Sequence, residues 1–235
     1  MQTRTEKGGK NSEGPIGTGL VIERRFTTIG EDPFDQFDWI EMDVEIRNAD
    51  GSLAHRIDDV RLPSGFSGVA GKVLAQKYLR KAGVPAILRK VKEKGVPTWL
   101  QRSEPDHEKL QSLDPEKRFI GESHGRELFR RLAGTWTYWG WKHGYFEAEA
   151  DARAYFDEMC YLIASQRSAP NSPQWFNTGL HWAYGIEGPA QGHRYIDPST
   201  GELMTSTNAY EHPQPHACFI PVSYTHLTLP TISDV

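Results

Sequence analysis

Between residues 41 and 47 apolar and polar positions alternate, with Met42, Val44 and Ile46 set among Glu41, Asp43, Glu45 and Arg47. A period of two sends successive side chains to opposite faces of an extended chain, so this spacing predicts a strand with one wet face. Asn48, Ala49, Asp50 and Gly51 form a turn sequence, and residues 53–60 are expected to return as the partner strand. From Phe66 the interval lengthens: Phe66, Val69, Ala70, Val73, Leu74 and Tyr78 fall on one helical stripe, with stop signals at Gly83 and Pro85. Pro85, Pro97, Pro105 and Pro115, scattered among many charges, make residues 84–122 a region of loops and short turns.

Two better-patterned helices follow. Leu128, Leu132, Trp136 and Trp139 share one face of the first; Ala152, Tyr155, Phe156, Met159, Cys160 and Ile163 share one face of the second. The short link at residues 142–145 predicts an antiparallel helical hairpin. No repeat of fixed period is visible, which argues against a solenoid. Residues 168–173, SAPNSP, cannot prolong the second helix, because proline removes a backbone donor and biases its predecessor towards extended geometry. The chain is expected to enter a new structural unit there. Residues 181–215 read as a long ordered loop, and residues 216–220, HACFI, as an extended run. The Gly-, Ser-, Lys- and Thr-rich residues 1–20 lack periodicity and are expected to form a flexible arm.

Composition narrows the function classes. A 235-residue chain with 37% hydrophobic residues can bury a core, and a mean hydropathy of −0.60 argues against membrane residence. No stretch approaches the roughly 20 apolar residues of a bilayer span, and residues 1–9 lack a secretory apolar run, so a cytoplasmic setting is expected. A net charge of −4 supplies no field for nucleic acid. The basic run from Lys77 to Lys94, broken by Gly83 and Pro85, reads as a solvated face. Two cysteines are too few for a disulfide framework, leaving reactive or structural roles in a reducing compartment.

The two thiols differ. Cys160 lies on an apolar helical stripe, where burial suppresses the thiolate. Cys218 follows a polar, proline-rich loop and has His216 two residues away; local sequence leaves it balanced between a reactive thiol and a core cysteine. His193, His212, His216 and Cys218 offer an alternative, a zinc-stabilised non-enzymatic interaction module, although there is no second cysteine knuckle and Pro213 and Pro215 stiffen the loop. A hydrolase pairing Cys218 with His216 ranks lower, since no orienting Asp or Asn can be identified. Ser172, between Asn171 and Pro173, reads on its own as a turn residue. The run Trp136, Trp139 and Trp141 suits core packing better than base stacking, and Trp175 with Phe176 is expected to pack beneath a strand.

Residues 171–179 (NSPQWFNTG) and 216–220 (HACFI) resemble the strand start and the downstream Cys-Phe pair where the catalytic barrel begins in ribonucleotide reductases. Residues 181–192 (HWAYGIEGPAQG), 195–198 (YIDP) and 209–215 (AYEHPQP) are similar to a large form of the adenosylcobalamin-dependent class II enzymes. The likeness extends upstream through 74–85 (LAQKYLRKAGVP) and 134–145 (GTWTYWGWKHGY), covering residues 22–222.

The resemblance implies an α+β fold: a strand-pair and helical domain at 21–167, the start of an α/β barrel at 168–222, and at 223–235 a tail resembling translated adapter sequence. It implies reduction of ribonucleoside diphosphates by thiyl-radical chemistry, with adenosylcobalamin as cofactor in the full-length parent. Cys218 matches the first of two thiols that deliver two electrons and close to a disulfide, reopened by a thioredoxin-like dithiol protein. Ser172 matches a hydroxyl residue that holds substrate phosphate, and Ala217 contributes through its backbone. A nucleotide effector is also allowed for; membrane and nucleic-acid partners are not. The radical cysteine, the second redox cysteine and most of the cofactor surface are expected downstream, so the isolated chain is expected to be inactive.

Overall fold

The alternation at residues 41–47 becomes β1 (Trp39–Arg47), paired antiparallel with β2 (Leu53–Pro63), in a computed structural model that describes residues 19–66, 68–190 and 192–212. Val44, Val60 and Leu62 are fully buried, while Glu41, Asp43 and Glu45 face solvent, as a period of two requires. The turn closes at Gly51, whose φ of 84° suits a residue without Cβ. Between the pairs Met42–Val60 and Val44–Ile57 the register shifts, and Asp59 takes a φ of 55° at the irregularity.

Helix α1 (Gly68–Lys77) packs on this hairpin through Gly71, where an added Cβ would crowd Met42 and Leu62. That close approach sets its rotation, and it corrects the expected stripe. Leu74 and Ala75 are buried, but Val69 and Val73 point outward at 76% and 38% exposure. The helix also stops at Lys77, short of Gly83. Next come β3 (Val84–Pro85), β4 (Leu88–Lys90), β5 (Ser103–Pro105), α2 (His107–Gln111) and β6 (Phe119–Ile120), the short elements of a proline-rich region. β3 pairs with β6 and β4 with β5. The basic residues here serve their own surroundings: Lys90 donates to the Gln101 carbonyl at 2.7 Å, and Arg89 pairs with Glu104.

The antiparallel helical hairpin is present as α3 (Gly125–Lys142) and α4 (Glu149–Ala164). A capping box opens α3: the His124 ring accepts from the Arg126 amide, and the Glu127 carboxylate accepts from the amides of Ser123 and His124. Leu128, Phe129 and Leu132 of α3 join Phe156, Cys160 and Ile163 of α4 in one core with Phe34, Val44, Leu62 and Leu74. Outside that hairpin, residues 19–27 run along α4: Leu20 exchanges backbone bonds with Tyr145 and Glu147, Ile22 donates to Asp151, and Thr27 donates to Glu158. Gly19 and Leu20, placed in the expected flexible arm, are therefore docked, while residues 1–18 lie outside the described residues.

Beyond residue 168 the chain departs from expectation. Residues 172–177 form a short helix, α5 (Ser172–Asn177), instead of a strand, and the expected loop from 181 contains α6 (Leu180–Tyr184) and the hairpin of β7 (Arg194–Ile196) with β8 (Leu203–Thr205). The described residues thus carry mixed helices and four two-stranded sheets, with no closed barrel among them. No helix among them is long and apolar enough to cross a membrane. The expected extended run at 216–220 and the tail at 223–235 lie outside the described residues.

Candidate functional site

Ser172 opens α5 because its neighbours favour a helix start. Asn171 is extended (φ −66°, ψ 157°), and Pro173 occupies the first turn, where a missing N–H costs no hydrogen bond and the ring fixes φ near its helical value. The strand-start expectation failed on this point: Ser-Pro before the mixed run Gln-Trp-Phe-Asn serves either element, and nothing local separates them. The Ser172 hydroxyl lies 2.9 Å from that of Tyr78, just past the end of α1. The Tyr78 ring stacks on Trp175 at 5.3 Å, and Trp175, 7% exposed, donates its indole N–H to the Pro170 carbonyl. Trp175 packs into the core as expected of it, although from a helix; Phe176 leans on Tyr78 and stays 42% exposed.

The other end of α5 is held by a buried cation. Arg131 of α3 is 1% exposed and donates to the carbonyls of Thr178 (2.7 Å), Trp175 (3.0 Å) and Tyr78 (3.2 Å). Its charge is balanced by Glu122, 2.7 Å away, which also accepts from the Arg80 amide and the Tyr184 hydroxyl, each at 2.7 Å. A buried ion pair is stable only when its remaining donors and acceptors are also met, and this pair bonds to three carbonyls, one amide and one phenol. Burial, reinforced by the Glu122 charge, pushes the Tyr184 phenol well above its ordinary pKa and keeps it a donor. Gly179 lets the chain pass, since its φ of 88° and an overlap between any Cβ and the Arg131 carbonyl exclude larger residues.

Sequence reading missed Tyr78, Glu122, Arg131 and Tyr184 as a group. One signal was available. Arg131 sits three residues after Leu128 and one before Leu132, a cation beside the apolar stripe of a helix whose burial demands a partner. Its partner Glu122, nine residues earlier and just ahead of α3, carries no such mark.

Beside α5 lies a groove of about 960 Å³, walled by Trp136 and Trp139 of α3, Met159 and Ile163 of α4, Pro170 and Tyr195. A second, more polar cleft of about 470 Å³ adjoins it around Glu93, Tyr138, Lys142 and His181. Trp136 and Trp139 thus line a groove at the core's edge, and the Trp141 indole donates to the Gly95 carbonyl at 2.6 Å.

Of the residues singled out for chemistry, Ser172 is described, whereas His216, Ala217 and Cys218 lie outside the described residues. Cys160 is fully buried, and burial raises its thiol pKa well above the ordinary value, in keeping with a core role. The zinc alternative finds no support: among the described residues no three His, Cys, Asp or Glu side chains are grouped to hold a metal. His212 instead stacks on Tyr195 at 3.6 Å, where burial lowers its imidazole pKa, and His193 is buried elsewhere in the same segment.

Comparison with known proteins bears on this arrangement. Residues 41–166, just over half of the chain, match the family model described as class II vitamin B12-dependent ribonucleotide reductase. Proteins named vitamin B12-dependent ribonucleotide reductase from Bradyrhizobium diazoefficiens and Agrobacterium fabrum are 58% and 57% identical over 201 residues, which cover 86% of this chain and 16% of each relative. One from Rhodopirellula baltica is 27% identical over 203 residues, again 86% of this chain and 16% of the relative.

Proposed function

The chain belongs to the class II vitamin B12-dependent ribonucleotide reductases, and from that premise we propose that it forms part of a cytoplasmic enzyme converting ribonucleoside diphosphates to 2′-deoxyribonucleotides. It spans 16% of the length of the Bradyrhizobium diazoefficiens and Agrobacterium fabrum relatives, so the activity belongs to a larger protein. Within it, residues 21–167 act as a strand-pair and helical domain, and residues 168–222 as the opening of a catalytic barrel. The observation that carries the reading is the clamp on α5. Arg131, Glu122 and Tyr78 fix the segment bearing Ser172 to the helical core, as a hydroxyl that must meet a substrate phosphate at one place requires.

Ser172 donates to the phosphate without adding charge, and Ala217 contributes through its backbone, its small side chain being compatible with a close approach. Cys218 supplies the first of two thiols. As the ribose 2′-hydroxyl leaves as water, the two thiols give up two electrons and two protons and join as a disulfide, which a thioredoxin-like dithiol protein reopens by exchange. Cys160, sealed in the core, cannot be the partner, so the second thiol comes from outside these 235 residues.

The family implies adenosylcobalamin. The larger groove does not fit it: although His143, Ser168, Gln174 and Arg194 also line it, its wall is mainly hydrocarbon, including Leu20, Trp136, Phe146, Met159, Ile163 and Pro170, whereas a corrin presents a rim of amide arms that needs donors and acceptors. This supports a cofactor surface formed by other parts of the parent enzyme.

The test uses the full-length reductase with adenosylcobalamin. C218S should abolish turnover with the protein reductant, and S172A should raise KM for the diphosphate with kcat nearly unchanged. The 235-residue chain alone should form no deoxynucleotide. Turnover by the isolated chain, or a fully active C218S enzyme, would overturn the reading.

A further inference from the structure

We propose that Tyr78 is a positioning residue that turns the Ser172 hydroxyl proton outward, making the serine a committed donor to an anionic oxygen. This deepens the reading of Ser172 as a phosphate ligand and rests on it. The two hydroxyls are 2.9 Å apart, and either could donate. Chemistry selects the direction: a phenolic O–H is the more acidic of the two and so the better donor, while an aliphatic hydroxyl oxygen is the better acceptor. With Tyr78 donating, Ser172 keeps its own proton for a third atom, and accepting one bond strengthens the bond it gives.

The tyrosine is held in place for this task. Its ring is stacked on Trp175 and tilted against Phe176, each with a centroid distance of 5.3 Å, and its carbonyl is bound by Arg131 at 3.2 Å. Arg131 reaches α5 as well, through the carbonyls of Trp175 and Thr178. One buried guanidinium therefore fixes both residues of the hydroxyl pair relative to each other, from the end of α1 and the start of α5, 94 residues apart in sequence. A serine needed only as a helix start would require no second hydroxyl on a clamped ring.

Y78F keeps the ring and removes the donor. In the full-length reductase, S172A should raise KM for the diphosphate about tenfold and Y78F about three- to tenfold, the loss expected of one hydrogen bond, with kcat within about twofold in both. The double variant should be no worse than S172A alone, because Tyr78 acts only through Ser172. Amide exchange at residues 172–178 of the Y78F chain should match the parent chain, since the stacking is intact. Additive KM effects, an unchanged KM in Y78F beside an impaired S172A, or exchange opened by Y78F would each overturn the positioning role. An S172A enzyme with unaltered KM would instead overturn the phosphate reading itself, and this proposal with it.

Discussion

At the scale of single residues, environment decides what identical chemistry can do. The chain has two thiols, and the one described is fully buried among Leu132, Phe156 and Ile163, where formation of the anion is opposed by the loss of solvation. Native chain treated with iodoacetamide at pH 8 should leave the Cys160 peptide unmodified by mass spectrometry, and denaturant should expose it; labelling without denaturant would mean that the helical core opens. Arg131 shows the converse, a charged group made indispensable by burial. R131A would leave Glu122 uncompensated and two carbonyls of the α5 region without donors, so urea denaturation should show a loss of about 3–5 kcal/mol. Swapping both partners for hydrocarbon, as in R131M/E122L, should not restore stability, because Arg131 also serves carbonyls that the swap leaves unpaired.

At the scale of elements, packing overrides local preference. Gly134 interrupts α3 at a cost in helix propensity of about 1 kcal/mol relative to alanine, yet a Cβ there would overlap the Trp182 ring of α6. Overpacking typically costs ~1–3 kcal/mol, more than the propensity gained, so G134A should lower the denaturation midpoint and shift the tryptophan emission. The joint between residues 19–27 and α4 carries a pH dependence. Burial alone would raise the Glu158 pKa, but the Thr27 hydroxyl at 2.6 Å and the amides of Phe26 and Thr27 donate to its carboxylate and bring it below the usual value of 4.5. A depressed carboxylate pKa contributes stability that is full above the unfolded value and lost as pH falls through the folded one. The parent chain should therefore lose stability below about pH 4.5 more steeply than E158Q, measured by thermal melts at stepped pH. Neighbouring Asp157, whose pKa burial raises despite Arg24, works in the opposite sense and cancels in that difference.

At the scale of the whole molecule, the segment after residue 168 is joined to the rest by the Arg131 bonds, the Tyr184–Glu122 bond and the Tyr78–Ser172 hydroxyl pair, by Trp175 in the core, and by Trp182, which donates to the Leu100 carbonyl. R131A should for that reason raise amide exchange across residues 172–184 well before it raises exchange in the centres of α3 and α4; uniform protection there would show the clamp to be dispensable. Much was legible from the sequence. The period of two in β1, the turn at Gly51, the paired stripes of α3 and α4, and the burial of Cys160 each follow from spacing between near neighbours, which the chain itself carries. The family was legible too, through strings in residues 74–85, 134–145 and 171–215. What spacing could not supply was α5 in place of a strand, the outward turn of Val69 and Val73, the hairpin of β7 and β8, and the assembly of Tyr78, Glu122, Arg131 and Ser172. Those outcomes depend on groups 9 to 94 residues apart, and the free energy of bringing them together lies in desolvation and hydrogen bonds that exist only after the chain has folded. Residue order determined which side chains would seek the interior, while the tertiary structure alone decided which polar groups would accompany them there and meet.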